Sequence, residues 1–351
     1  MLKFALIGCG RIAQRHSEIL ASKLIENTEL VAVCDLNISK AEIIGKRFNI
    51  PFFDDMHKMI KSVDIDVIVI LTESGNHAKN VLELVHYGKH FIVEKPMALS
   101  LSDADLMIKE CDLAGVKLFI VKQNRFNLPV MKLKEAMEQG RFGKLVLGTI
   151  RVRWCREQSY YDQAPWRGTW ALDGGVLSNQ ASHHLDLLEW IMGDVESVFG
   201  LGNTALVNIE AEDTAVVALR FKNGALGVIE ATTATRPVDL EGSISVLGEK
   251  GVVEIAGFAV NEMKTWKFSE QKQGDKEVFS DFSVNPPNVY GFGHQAYYEN
   301  AVNSILHGKQ HLVDGLEGRK SLELINAIYE SIESGKEVFM NFKPKFHRFD
   351  S

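Results

Sequence analysis

From residue 4 to residue 121 short, uninterrupted apolar runs alternate with amphipathic stretches. Phe4 to Ile7, Leu30 to Cys34, Asp66 to Leu71, Phe91 to Val93 and Lys117 to Val121 read as strands. Ile12 to Leu24, Ser39 to Phe48, His77 to Tyr87 and Ser102 to Ala114 read as helices, the last two closed by Gly88 and Gly115. Continuous apolar strands separated by helices predict a parallel sheet covered on both faces. Beyond residue 122 the pattern changes. A helix over Val130 to Gln139 leads to an alternating strand over Leu145 to Trp154. Thr214 to Phe221 and Ala225 to Thr233 flank Asn223-Gly224, a hairpin signal. Ser243 to Leu247 and Val252 to Ile255 flank a second turn at 248–251. Strands that follow one another without helices predict an antiparallel sheet. Further helices are predicted at 179–192, 292–307 and 316–333, with a loop over Gln271 to Asn288.

Composition adds exclusions. The 351 residues suggest about two domains. With 46% apolar and 24% charged residues the chain can build two cores and is not disordered. The net charge of −7 and scattered cations argue against capture of nucleic acid. The longest apolar run, Ile65 to Leu71, carries Asp66 and is far short of the ~20 residues a bilayer requires. The first residues lack the features of a signal peptide. Cysteines at 9, 34, 111 and 155 form no CxxC pair, so reduced thiols in a cytoplasmic protein are expected, with neither zinc nor disulfides.

Gly8-x-Gly10-x-x-Ala13 follows the first strand and opens a helix. Gly8 permits the tight turn, Gly10 lets the backbone approach a pyrophosphate, and Ala13 keeps the helix close to the strand. The helix N-terminus offers amide N–H groups to the anion. Asp35 ends the next strand and can accept from the adenosine ribose hydroxyls, which favours NAD over NADP. Lys95, in Glu94-Lys95-Pro96, follows the fourth strand, at the edge where ligands of such sheets bind. A cation there can stabilise negative charge on a substrate oxygen. Further on, Asn179, His183 and Asp186 are spaced i, i+4 and i+7, one face of the predicted helix. His183 has the chemistry of a general acid/base, and Asp186 is a candidate to orient its ring. His183 and His184 point about 100° apart on a helix, so a metal is not expected there.

The Gly8 turn, Glu94-Lys95-Pro96 and His183-x-x-Asp186 resemble the Gfo/Idh/MocA oxidoreductases. That resemblance implies an N-terminal Rossmann dinucleotide-binding domain, here 1–122, and a C-terminal α/β domain with an open, mostly antiparallel sheet, here 123–351. It also implies metal-free, NAD-dependent oxidation or reduction of a sugar or cyclitol carbon. Many members carry Asp four residues before the histidine, where this chain has Asn179. An amide does not titrate, so proton transfer falls to His183 and Lys95. Lys122 to Asn127, Arg156 to Asp162, Trp166 to Trp170, Asn179 to His183, Glu241 to Gly251 and Tyr290 to His294 resemble a branch that acts on a UDP-linked sugar acid of bacterial surface polysaccharides. The implied reaction oxidises the C3 hydroxyl of UDP-N-acetylglucosaminuronic acid (UDP-GlcNAcA), with NADH returned to NAD by 2-oxoglutarate.

The same resemblance implies Lys95 and His183 as catalytic. It implies Gly8, Gly10, Arg11, Ile12, Asp35, Thr72, Ser74, His77, Glu94, Lys95, Gln123, Trp166 and Arg167 as cofactor-binding. For the substrate it implies Lys95, Arg156, Gln158, Tyr160, Tyr161, Asn179, Ser182, His183 and Tyr290. Arg156 and Arg167 suit a carboxylate or phosphate, and Tyr160, Tyr161 and Trp166 can flank a ring. A packed aromatic loop or a subunit contact would use the same residues. A homodimer or homotetramer is implied, with no nucleic acid and no membrane partner. Another sugar or cyclitol dehydrogenase, a 3-ketoreductase and a non-catalytic NAD(H) or sugar sensor remain open.

Overall fold

The computed structural model describes residues 1–283 and 292–343. The chain forms two compact units. The first comprises Met1–Lys122 and His294–Leu322, the second Gln123–Gly293 and Glu323–Ser351.

The first unit holds a parallel sheet of six strands. These are β1 (Leu2–Ile7), β2 (Thr28–Cys34), β3 (Phe52–Phe53), β4 (Val67–Ile70), β5 (His90–Val93) and β6 (Leu118–Ile120). Their order, β3-β2-β1-β4-β5-β6, is that of a dinucleotide-binding sheet, with the strand order reversing between β1 and β4. All four residues of β4 are buried, which is why it reads as an unbroken Val/Ile run. Helices α1 (Arg11–Ala21), α2 (Ile38–Phe48), α3 (Met56–Ser62), α4 (His77–Leu84) and α5 (Leu101–Leu113) form the connections. The predicted helix over His77 to Tyr87 tightens to a 3₁₀ turn at Val85–Tyr87 before left-handed Gly88.

The second unit holds α6 (Leu128–Glu138), α7 (Gln158–Tyr161), α8 (Ser182–Met192) and α9 (Val278–Asp281). Its eight strands are β7 (Leu145–Arg153), β8 (Val195–Asn203), β9 (Thr214–Phe221), β10 (Leu226–Thr232), β11 (Glu241–Gly248), β12 (Gly251–Ala256), β13 (Glu262–Phe268) and β14 (Val338–Phe339). They lie in the order β13-β12-β11-β7-β10-β9-β8-β14. Every pair is antiparallel except β7 with β10. The fold is therefore α/β, with a Rossmann-type unit and an α/β unit whose sheet is mixed and mostly antiparallel.

β9 shows why one face is sealed. Ala215, Val217, Leu219 and Phe221 are buried, whereas Val216, Ala218 and Arg220 are exposed. α8 packs against β7 and β11 on the buried face.

α10 (Gly293–His307) and α11 (Gly315–Ser334) follow. The stretch 294–322 joins the first unit because its side chains complete that core. Tyr298 packs edge-on to Phe4 of β1, and His311 lies against Phe119 of β6. Val313 O accepts from Ile120 N and so covers the β6 edge. The division of units falls within α11, after Leu322.

The structure corrects two sequence expectations here and adds strands that the pattern did not predict. Asn179 to Ala181 are not helical; α8 starts at Ser182. The segment 271–283 contains α9 as well as loop, and residues 284–288 of that predicted loop lie outside the described residues. β8 and β13 were hidden because glycine and polar residues interrupt their alternation.

Candidate active site

In the first unit Gly8 adopts φ +95° at the end of β1. A Cβ there would lie 2.7 Å from the Leu71 carbonyl and 2.8 Å from Thr72 N, so only glycine fits. Gly10 has nothing within 4 Å of its Cβ position and precedes α1 without a side-chain cap. The amides opening α1, at exposed Arg11 and half-buried Ile12, can therefore serve an anion. The Asp35 carboxylate accepts from Cys9 N at 2.7 Å and Asn37 N at 2.8 Å, which orients it beside this turn. Burial, then the Asp35 charge, pushes the Cys9 and Cys34 thiols up to about 12, so neither is a nucleophile. These features suit a dinucleotide: an open glycine turn, a helix N-terminus and an oriented carboxylate.

Thr72 and Ser74 lie half-buried after β4. Asn80 donates to Thr72 Oγ1 at 2.9 Å. The His77 side chain is buried, its nitrogens facing Pro96 O at 2.8 Å and Thr72 O at 3.0 Å. It ties two loops together and presents no nitrogen outward. Burial lowers its pKa, against the two carbonyls that favour its charged form. Glu94 is buried and Lys95 half-buried at the end of β5. Burial opposes ionisation of Glu94, but the His16 hydrogen bond and the charges of His16, His294 and Lys95 prevail and hold it at about 2.

In the second unit the His183 Nε2 lies 3.1 Å from the Gln123 amide nitrogen, both side chains buried. A primary amide can offer N–H to a bare imidazole nitrogen or, turned over, C=O to a protonated one. Gln123, expected at the cofactor, thus also serves the histidine in either protonation state. Asp186 accepts both arms of Arg125, from Nε at 2.8 Å and from Nη2 at 2.8 Å, with each side chain 2% exposed. The Arg125 guanidinium also stacks 5.0 Å from the Trp190 ring centre. The carboxylate expected to orient His183 is the anion of this buried pair.

Asn179 donates to Asp173 Oδ1, and Asp173 Oδ2 accepts from Gly168 N at 2.8 Å. Asn179 therefore sits in the turn that launches α8, and the face it was expected to share with His183 does not exist. Ser182 is fully buried, its hydroxyl donating to Asn179 O at 3.1 Å. Tyr161 is turned into the core, where its hydroxyl meets Thr233 Oγ1 at 3.0 Å and burial pushes it up to about 12. For both Ser182 and Tyr161, burial opposes the direct substrate contact expected from sequence.

Tyr160 lies between two guanidinium groups, Arg167 at 4.3 Å and Arg156 at 5.5 Å from its ring centre. Arg167 also stacks on Trp166 and donates to the Tyr160 hydroxyl. Arg156 is anchored by Asp239 at 2.9 Å. Gln158 caps Asn208 N and Asp162. Tyr290 lies outside the described residues.

Sequence reasoning missed Glu212. Its Oε1 accepts from Leu177 N at 2.9 Å and Tyr329 Oη at 3.0 Å. A Cβ on Gly175 would lie 2.0 Å from its Oε2. The 173–177 turn is built around this carboxyl, and Gly174-Gly175 was the trace of it in the sequence. Burial raises Glu212 to about 7.

The NAD-binding Rossmann fold of the GFO_IDH_MocA oxidoreductase family matches residues 2–122. The C-terminal alpha/beta domain of that family matches 134–340. The WlbA dehydrogenase from Bordetella pertussis, solved with NADH and UDP-GlcNAcA, superposes with a TM-score of 0.93 at 42% identity, covering 97% of this chain and 98% of that one. The WlbA dehydrogenase from Chromobacterium violaceum, solved with the same ligands, gives 0.92 at 42% identity, covering 97% and 96%. Myo-inositol 2-dehydrogenase from Thermotoga maritima is 31% identical, covering 96% of this chain and 98% of its own.

Proposed function

Because the chain belongs to the Gfo/Idh/MocA oxidoreductase family, whose NAD-binding domain it carries, we propose that it oxidises the C3 hydroxyl of UDP-GlcNAcA to the 3-keto sugar. The observation that carries this reading is 42% identity, over nearly the whole of both chains, to two dehydrogenases crystallised with that nucleotide sugar. NAD, when bound, supplies the hydride acceptor. Gly8, Gly10, Arg11 and Ile12 receive its pyrophosphate, and Asp35 its ribose. Thr72, Ser74 and Glu94 frame the same edge of the sheet, and Trp166 and Arg167 are assigned to the cofactor as well.

Lys95 donates to the reacting hydroxyl oxygen and stabilises charge developing there. His183 removes the hydroxyl proton, with Gln123 following its change of state. Arg156, Tyr160 and Gln158 are assigned to the sugar acid, Tyr290 with them. Asn179 positions a substrate hydroxyl without titrating. Per turnover the sugar loses one hydride from C3 and one proton from its hydroxyl. 2-Oxoglutarate then takes that hydride from NADH together with one proton, returning NAD and leaving 2-hydroxyglutarate. The 3-keto product suits bacterial surface-polysaccharide synthesis.

The test is mass spectrometry of UDP-GlcNAcA after incubation with the protein, NAD and 2-oxoglutarate. The expected result is loss of two hydrogens from the nucleotide sugar and appearance of 2-hydroxyglutarate. A second reading, a cyclitol dehydrogenase, is favoured by the 31% identity to the inositol enzyme. Turnover of myo-inositol with no change in UDP-GlcNAcA would select it and reject the first.

A further inference from the structure

Beneath the Lys95 turn lies a polar cluster whose histidine and tyrosine the proposed reaction does not use. His16 is fully buried in α1; its Nδ1 lies 2.6 Å from Tyr298 Oη and its Nε2 3.0 Å from Glu94 Oε1. The other oxygen of Glu94 accepts from Lys95 N at 3.0 Å. Pro96 O is held from the opposite side by His77 at 2.8 Å. Lys95 is thus flanked by two backbone anchors, one through Glu94 and one through His77.

Glu94 is ionised and can only accept, so the His16 Nε2 contact is a donation to it. The Tyr298 hydroxyl can donate to or accept from His16 Nδ1 and holds the far side of the ring in either case. Glu94 thus accepts from His16 on one oxygen and from the Lys95 amide on the other.

Burying a carboxylate is costly, and apolar side chains would fill the same volume without that cost. Retaining the charge directly behind a reacting lysine is the kind of local cost that sites carry.

We propose that His16 is a positioning residue for Lys95: by clamping the Glu94 carboxylate between Tyr298 and the Lys95 amide, it fixes the backbone that aims the lysine. This rests on the reading that Lys95 acts on the substrate. The ligand atoms of His16, Glu94 and His294 also lie within 4.8 Å of one another, a spacing that a metal ion could use. The continuous hydrogen bonding favours the clamp.

The test uses the full chain with UDP-GlcNAcA and NAD. His16→Leu should lower kcat about 10- to 100-fold, the effect of a small misplacement of a reacting group. KM for the sugar and Kd for NAD should stay within about threefold, since His16 itself touches neither ligand in the proposed reaction. His16→Gln, whose amide nitrogen can still donate to Glu94, should recover most of the loss. Unchanged kcat in His16→Leu, or a rise in KM or Kd in place of the fall in kcat, would overturn the inference. So would a stoichiometric metal in the purified protein. Should His16→Leu fail to fold, Tyr298→Phe carries the test: a several-fold drop in kcat supports the clamp, and a wild-type kcat overturns it. Lys95→Met separates the two claims. If it retains kcat, the reading of Lys95 itself fails; if it is inactive while His16→Leu is not impaired, only the clamp fails.

Discussion

Asp35 owes its orientation to two backbone donors, Cys9 N and Asn37 N. Asp35→Ala should weaken NAD at least about tenfold, the scale of one charged hydrogen bond, and narrow the preference over NADP. Parallel titrations with NAD and NADP check this; unchanged affinities would remove Asp35 from the ribose. Lys95→Ala and His183→Ala should each cut kcat about 100-fold or more while the protein still binds NAD. Near-normal turnover in both would sink the site. At this scale the sequence was most readable where chemistry and backbone need coincide, as at Gly8, whose φ of +95° only glycine accepts readily. It was least readable where a side chain's direction decides its role. Tyr161, Ser182 and His77 look like ligand contacts from spacing and family, yet each is turned into the protein. No local signal in the sequence distinguishes an inward tyrosine from the half-exposed Tyr160 beside it.

Elements explain other differences. The residues before α8 form a turn because the Asp173 carboxylate binds Gly168 N and the Asn179 amide, and Glu212 takes Leu177 N. Helical periodicity continues through such a turn, so the pattern alone placed the start too early. Within α8, His184 is buried against Trp154, and neither of its ring nitrogens has a hydrogen-bond partner among the described residues. Burial lowers it to about 4 from 6.5. The unfolded chain then binds a proton below about 6.5 that the folded one refuses until about 4, so stability falls as pH drops through that window. The shift corresponds to a few kcal/mol at most, about 3. Thermal melts of His184→Leu should lose less stability than the parent between pH 7 and pH 4; parallel curves would contradict this. Gly8→Ala in the β1–α1 turn should destabilise the protein by about 1–3 kcal/mol and abolish NAD binding, read by melts and titration. An unchanged protein would show that the turn can give way.

For the whole molecule, the sheet of the second unit leaves one face open. Leu201 pairs with Val216 and Leu226 with Leu147 across neighbouring strands, and Val228 lies beside Ala218. Leu201, Val216, Leu226 and Val228 are 37–64% exposed. Such a contiguous apolar face is larger than isolated exposed residues explain. We propose that a second copy covers it, and light scattering should show Val216→Glu with Val228→Glu reducing the mass to that of one chain. A parent protein already of single-chain mass would exclude this pairing. No described helix is long and apolar enough to cross a membrane. The alternation of strand and helix made the Rossmann unit legible, down to the strand that leads into Lys95. The return of 294–322 to that unit was not legible, since contacts such as Tyr298 with Phe4 and His311 with Phe119 join residues far apart in sequence. The parallel pairing of β7 with β10 escaped notice for the same reason.

The central claim is hydride removal from C3 of UDP-GlcNAcA, and it is tested most directly with that sugar deuterated at C3. Single turnover with NAD, followed by mass spectrometry of both products, should move the deuterium to NADH and leave a 3-keto sugar free of it. Turnover that leaves the deuterium on the sugar would contradict the account, as would a complete failure to react in protein that holds NAD.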